Sequence, residues 1–177
     1  MTTAIRLIPY RPDFLDLFIA WRNESHSVRH NPLSPTSREE MARRCLAEGS
    51  DLSDLSTHES YRWFIEMENA VVGNVSIKNI SRMMGYAEIA YGVAESHQGR
   101  GIATIAVAAM IDKAFNESSL RKLVAYVHDR NLPSCRVLEK LGFQKEGFLR
   151  EHYIINGKAE NEILFGLLKC DWETRVI

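Results

Sequence analysis

Cysteine is scarce in this chain, and long apolar runs are missing. The three cysteines, Cys45, Cys135 and Cys170, are odd in number, far apart and without C-x-x-C spacing, which argues against a disulfide framework or a cysteine zinc site and leaves reduced thiols. No stretch approaches the roughly 18 apolar residues of a membrane-spanning helix. The opening Met1-Thr2-Thr3-Ala4-Ile5-Arg6 has no apolar signal-peptide core, so a cytoplasmic protein with no membrane partner is expected. Excess charge of either sign is absent too. Against 22 Lys and Arg stand 23 Asp and Glu, a formal charge of −1, and no dense basic cluster supplies the footprint of a nucleic-acid binder. Neither Gly-Lys-Ser/Thr nor the dinucleotide pattern G-x-G-x-x-G occurs, which argues against a kinase and a dehydrogenase alike. His26 and His30 stand four apart, but no Glu follows His26 and no third ligand is suggested, so no metal site is expected.

What remains is an ordinary globular composition, 45% hydrophobic and 25% charged over 177 residues, enough for one well-buried domain spanning 1–177. Ile5 to Pro9 reads as a strand. Phe14, Leu17, Phe18 and Trp21 recur at helical spacing after a start capped by Asp13 or Pro12, and Ser37 to Glu48 reads as a second helix. Gly49 to Ser60, with four Ser, two Asp and a Thr, is expected to be a mobile surface loop. Tyr61 to Met67 and Val71 to Ile80 read as strands joined near Glu68-Asn69, with Val75 and Ile77 alternating against Asn74, Ser76 and Lys78. A turn over Ser81 to Gly85 leads to a strand over Ala87 to Val93, a buried helix over Ile102 to Asn116 and a strand over Lys122 to His128. Asn156-Gly157 signals a tight type I′ hairpin between Glu146 to Ile155 and Lys158 to Leu168. The order β-α-α-β-β-β-α-β-α-β-β implies an α+β fold, a mixed sheet with helices on both faces.

The most informative stretch is Gln98-Gly99-Arg100-Gly101-Ile102-Ala103-Thr104, between a strand and a helix. A helix start leaves several backbone N–H groups unpaired and adds about half a positive charge. Glycine at 99 and 101 lets a ligand approach the backbone, and Arg100 adds a cation, so a phosphorylated cofactor is expected. The loop resembles the coenzyme A loop of the GNAT acyltransferases, Q/R-x-x-G-x-G/A, through Gln98, Gly101 and Ala103. About thirty residues later Asn131, Ser134, Leu138, Lys140, Gly142 and Phe143 match the family's N-x-x-[AS]-x-x-x-[YL]-x-K-x-G-F helix. Trp21-Arg22-Asn23-Glu24, Ala87 to Tyr91 and the long hairpin Gly147 to Leu168 extend the likeness to the RimJ/RimL branch over nearly the whole chain.

That resemblance implies a mostly antiparallel twisted sheet with two strands splayed apart around acetyl-CoA. It also implies N-acetyl transfer to a primary amine, either a protein or peptide N-terminus or a polyamine, amino sugar or aminoglycoside, and a homodimer through the last strands. The backbone N–H of Val93 would bind pantetheine and Gln98 through Thr104 the pyrophosphate, and Asn131 would hold the pantetheine amide, cap the helix it opens, or both. Trp21 and Arg22 would lie on the acceptor side. The family's frequent thiolate-protonating tyrosine falls at Leu138, which cannot donate; in this branch a serine takes the role, here Ser134, with a local helix-start contact as the alternative. Alternation puts Glu88, Ala90 and Gly92 on one strand face. Glu88 is then a general base reaching the amine directly or through water, or else a solvent-facing or ion-paired glutamate. Branch members often carry Asp four residues after the hairpin glycine, where this chain has Asn161, with Glu160 and Glu162 as substitutes. An α-amine, with a pKa of about 7.7 to 8.0, needs less help from a base than an alkylamine near 10.4, which favours a peptide N-terminus. A coenzyme A-binding sensor without turnover is the alternative from another class.

Overall fold

The computed structural model describes residues 4–31 and 33–175, so the two ends of the expected 1–177 domain lie outside the described residues. Seven strands form one sheet: β1 (Ile5–Pro9), β2 (Tyr61–Met67), β3 (Ala70–Ser81), β4 (Tyr86–Val93), β5 (Lys122–His128), β6 (Gln144–Ile155) and β7 (Lys158–Leu168). Their spatial order is β1-β2-β3-β4-β5-β7-β6, antiparallel throughout except for β4 against β5. Two turns have the backbone their residues encode. Glu68 and Asn69 both have positive φ, 51° and 65°, as do Asn156 and Gly157, 50° and 77°, the combination a type I′ turn requires and Asn and Gly tolerate best.

Helices cover both faces. On β2, Trp63 and Phe64 point to opposite sides, as successive strand residues must. Trp63 joins Val75, Ile77, Ile89, Ala125, Val127 and Phe165 under α4 (Ile102–Glu117) and α5 (Leu132–Lys140). Phe64 faces α1 (Leu15–Arg22) and α3 (Arg38–Ala47), its ring within 5.2–6.4 Å of Tyr10, Phe14, Phe18 and Trp21. The alternation in β3 holds, yet Asn74 and Ser76 are buried rather than solvated. Asn74 Oδ1 accepts from Arg62 Nη1 at 2.6 Å, which satisfies the amide inside the fold.

Three local expectations are corrected. Helix α1 begins at Leu15 after a 3-10 turn over Pro12–Phe14, and Asp13 caps nothing because its carboxylate bonds to the Arg11 guanidinium. A further helix, α2 (Ser25–His30), has no buried residue and so no apolar period to betray it; α6 (Lys169–Glu173) is equally short. The loop over 49–60 is tied down. Leu52 and Leu55 are buried, Arg82 donates to the carbonyls of Leu55 (2.6 Å) and His58 (2.9 Å), and Tyr61 Oη donates to that of Asp54 (2.8 Å).

The feature that positions the site is the parting of β4 from β5. They pair only at Tyr86/Lys122, Ala87/Leu123 and Glu88/Val124. Beyond Glu88 the strand β4 runs on to Val93 with β3 alone, while β5 continues to His128 against β7.

Candidate active site

The glycine loop follows the end of β4 after a 3-10 turn over Glu95–His97. Gly99 and Gly101 have φ of +74° and +77°, a left-handed backbone that costs other residues steric strain, and a Cβ at either would meet nothing within 4 Å. Both glycines are therefore demanded by conformation, and the space above them is open to a ligand. Gly101 is the N-cap of α4, with no side chain capping the helix, so the amides of its first turn, at Ile102, Ala103 and Thr104, point outward without an intrahelical partner. Ile102 is buried and anchors that turn. Arg100 is exposed beside it.

Gln98 turns back on the strand: its Nε2 donates to the Val93 carbonyl at 3.0 Å. On β3, Val72 accepts from Ala94 N at 2.9 Å. Because alternate residues of an antiparallel ladder face opposite edges, Val93 turns its N–H toward the side that β5 has left.

Across the opening stands the first turn of α5. Asn131 caps it, its Oδ1 accepting from Ser134 N at 3.3 Å. Asn131→Ala should cost about 1 kcal/mol of stability; an unmoved denaturant midpoint would detach that bond from folding. Ser134 Oγ lies 2.8 Å from Tyr91 Oη, and the Ser134 carbonyl lies 3.2 Å from the same phenol, within its donating reach. Tyr91, paired with Val75 in β3, lies on the strand face opposite Glu88 and was not singled out from the sequence; alternation alone shows its side of the strand but not its partner 43 positions away. Burial holds its phenol well above the ordinary range. Leu138 is fully buried and apolar, and burial also raises the Cys135 thiol.

On the other sheet face, Glu88 is buried and doubly held. Lys78 Nζ is 3.0 Å from its Oε1 and Asn79 Nδ2 donates to its Oε2 at 2.6 Å. Asn79 reaches it because β3 bulges between Lys78 and Ser81, where Asn79 has φ 49°. Ala90 and Gly92 continue this face without bulk.

Of the residues expected on the acceptor side, Trp21 packs on Phe64 at 6.4 Å. Arg22 is half-buried and makes no ion pair among the described residues; burial, then Arg62 and Arg44, lower its pKa. Asn161 has both amide groups engaged, Oδ1 accepting from Glu151 N (2.9 Å) and Nδ2 donating to Asp129 Oδ2 (3.1 Å). Burial raises the Glu162 carboxyl, opposed by His152. A contact invisible in the sequence joins His30 of α2 to His128 of β5, Nδ1 to Nδ1 at 2.8 Å. Burial pushes the His30 imidazole down to about 4, so it is neutral near pH 7 and the two rings share one Nδ1–H. His128 Nε2 lies 3.3 Å from Glu160 Oε2. His128, Asp129 and Glu160 bring one potential ligand atom each within 4.8 Å of one another, and Asp129 Oδ1 is buried with no hydrogen-bond partner among the described residues.

Comparison with known proteins accords with this geometry. Residues 4–144 match the family model for the acetyltransferase (GNAT) domain. "Probable N-acetyltransferase YjcK" of Bacillus subtilis is 39% identical over 122 residues, 67% of each chain. Spermidine N(1)-acetyltransferase of Escherichia coli is 32% identical over 120 residues, 67% of this chain and 64% of that one. The solved structure of Mycobacterium smegmatis RimJ in complex with CoA-disulfide superposes with a TM-score of 0.82 at 25% identity, covering 93% of this chain and 82% of that one. Family match, sheet order and parted strands converge: the chain belongs to the GNAT acetyltransferases and is an N-acetyltransferase that uses acetyl-CoA.

Proposed function

We propose that the chain works as a single acetyltransferase domain on the N-terminal α-amine of a peptide or protein. The observation that carries the transfer half is the opening between β4 and β5 beyond Glu88, flanked by the left-handed glycine loop and by Ser134. In this reading the first-turn amides of Ile102, Ala103 and Thr104 hold the pyrophosphate, helped by Gly99, Arg100 and Gly101. Gln98 fixes the Val93 carbonyl so that the Val93 N–H meets the pantetheine amide, and Asn131 secures the turn that presents Ser134. Glu88 takes the amine proton through water, and Ser134 gives a proton to the departing sulfur, since Leu138 has none to give.

On the acceptor side, Trp21 and Arg22 flank the peptide, and Asn161 acts through Asp129. A base already paired to Lys78 suits an amine that is partly neutral at pH 7, as an α-amine is and an alkylamine is not. Arg22, half-buried and without an ion pair among the described residues, suits a peptide carbonyl or carboxylate better than a polycation. A second reading, a small polycationic amine, is favoured by Asp129 Oδ1, which has no hydrogen bond among the described residues and lies beside Glu160, and by the likeness to a spermidine acetyltransferase.

Thiol release from acetyl-CoA, run in parallel with short peptides bearing free N-termini and with polyamines, amino sugars and aminoglycosides, separates the two. Release with the peptides, levelling near pH 8 as the α-amine loses its proton, is the expected result. Release with the small amines alone overturns the peptide reading, and coenzyme A binding with no release for any amine makes the chain a sensor.

A further inference from the structure

We propose that Tyr91 is a positioning residue for acetyl transfer, which aims the Ser134 hydroxyl and makes it a better proton donor. The inference rests on the proposed role of Ser134. A serine hydroxyl rotates freely about its Cβ–Oγ bond, so it protonates sulfur well only if something decides where its hydrogen points. Tyr91 is placed to decide. Its Oη lies 2.8 Å from Ser134 Oγ and 3.2 Å from the Ser134 carbonyl, so one phenolic proton has two acceptors on the same residue.

Two arrangements satisfy these distances. In one the phenol donates to the carbonyl while Ser134 donates back to the phenolic oxygen, which parks the serine proton away from the opening. In the other the phenol donates to Ser134 Oγ, leaving the Ser134 hydrogen free to turn toward the sulfur. As the carbon–sulfur bond breaks, its electron pair stays on sulfur and takes the Ser134 proton. The charge left on Oγ is stabilised by the hydrogen bond from Tyr91, until Ser134 recovers a proton from solvent. Tyr91 keeps its own proton throughout, consistent with a partly buried phenol packed against the core and held above its ordinary range. The buried residues of α5 do not do this instead: the residue one turn on, Leu138, is apolar, and Cys135 faces the core.

A double-mutant cycle on the full chain tests it, with the best amine found above as acceptor. Tyr91→Phe keeps the ring and removes only the hydroxyl. It is expected to lower kcat about ten-fold, the order of one hydrogen bond, with the KM for acetyl-CoA and the melting temperature nearly unmoved. Ser134→Ala lowers kcat at least as far, and the double variant is no slower than Ser134→Ala alone, because without the serine there is nothing left to aim. Deficits that multiply in the double variant overturn the proposal, since they describe a tyrosine that acts independently. A Tyr91→Phe change confined to KM overturns it as well. Normal turnover in Ser134→Ala removes both residues from proton delivery yet leaves the acetyltransferase reading intact, whereas wild-type chain inactive on every amine strikes that reading instead.

Discussion

Gly101→Gln lowers affinity for coenzyme A by about 100-fold or more, roughly 2.7 kcal/mol, while the protein stays folded. Two effects combine. At φ +77° a side chain strains the backbone by about 1–2 kcal/mol, which tends to rotate Gly101 and with it the amides that open α4. The new side chain also enters the space a ligand needs, since, the adjoining backbone aside, no atom of the described residues lies within 4 Å of that Cβ. The same emptiness means that no core contact is broken, so unfolding shifts by little more than the strain. Gly101→Ala separates the two effects: it carries most of the strain with little of the bulk and should bind several-fold better than Gly101→Gln. Titration calorimetry with coenzyme A is the measurement, and equal affinity in wild type and Gly101→Gln would falsify the placement of the pyrophosphate.

Glu88→Gln is expected to reduce kcat by about 100-fold at pH 7, the lower end of what a general base contributes, with the KM for acetyl-CoA unchanged. The substitution keeps the shape and the acceptor for Asn79 and loses the charge opposite Lys78. Because Lys78 is 42% exposed, the ion pair is screened and contributes little to stability. A large rate loss therefore cannot be charged to unfolding. The pH dependence supplies the sign. An α-amine acceptor loses its proton near pH 7.7 to 8.0, so raising the pH from about 7 to about 9 delivers it already neutral. The Glu88→Gln rate then recovers toward wild type as pH rises. A deficit of constant size across that range, or none at all, would return Glu88 to a structural ion pair.

Much of the scaffold was legible because its determinants are local. Ile5–Pro9 and Lys122–His128 form strands with the expected bounds, Asn131 caps its helix, and the paired positive φ angles at 68–69 and 156–157 sit where hairpin residues stand. The misses have physical causes as well. Helix α2 buries nothing, so hydrophobic periodicity has no purchase on it. Leu52 and Leu55 lie among serines and aspartates that read as solvent-facing, yet the loop folds its two leucines inward and is fastened by Arg82.

From the sequence alone came the family, the left-handed glycine loop and the candidate proton carriers Glu88 and Ser134. A left-handed backbone, a helix cap and a period-two face are each set within a few neighbouring residues, and their chemistry is written in residue type and spacing. What only the tertiary structure decided is which of those residues meet. Tyr91 finds Ser134 across 43 positions and His30 finds His128 across 98. Glu88 is claimed by Lys78 and Asn79 through a bulge, and Asn161 is turned onto Asp129 and the Glu151 amide. Such contacts depend on how a twisted sheet parts and how helices lean over it, and no local pattern encodes the outcome of that packing.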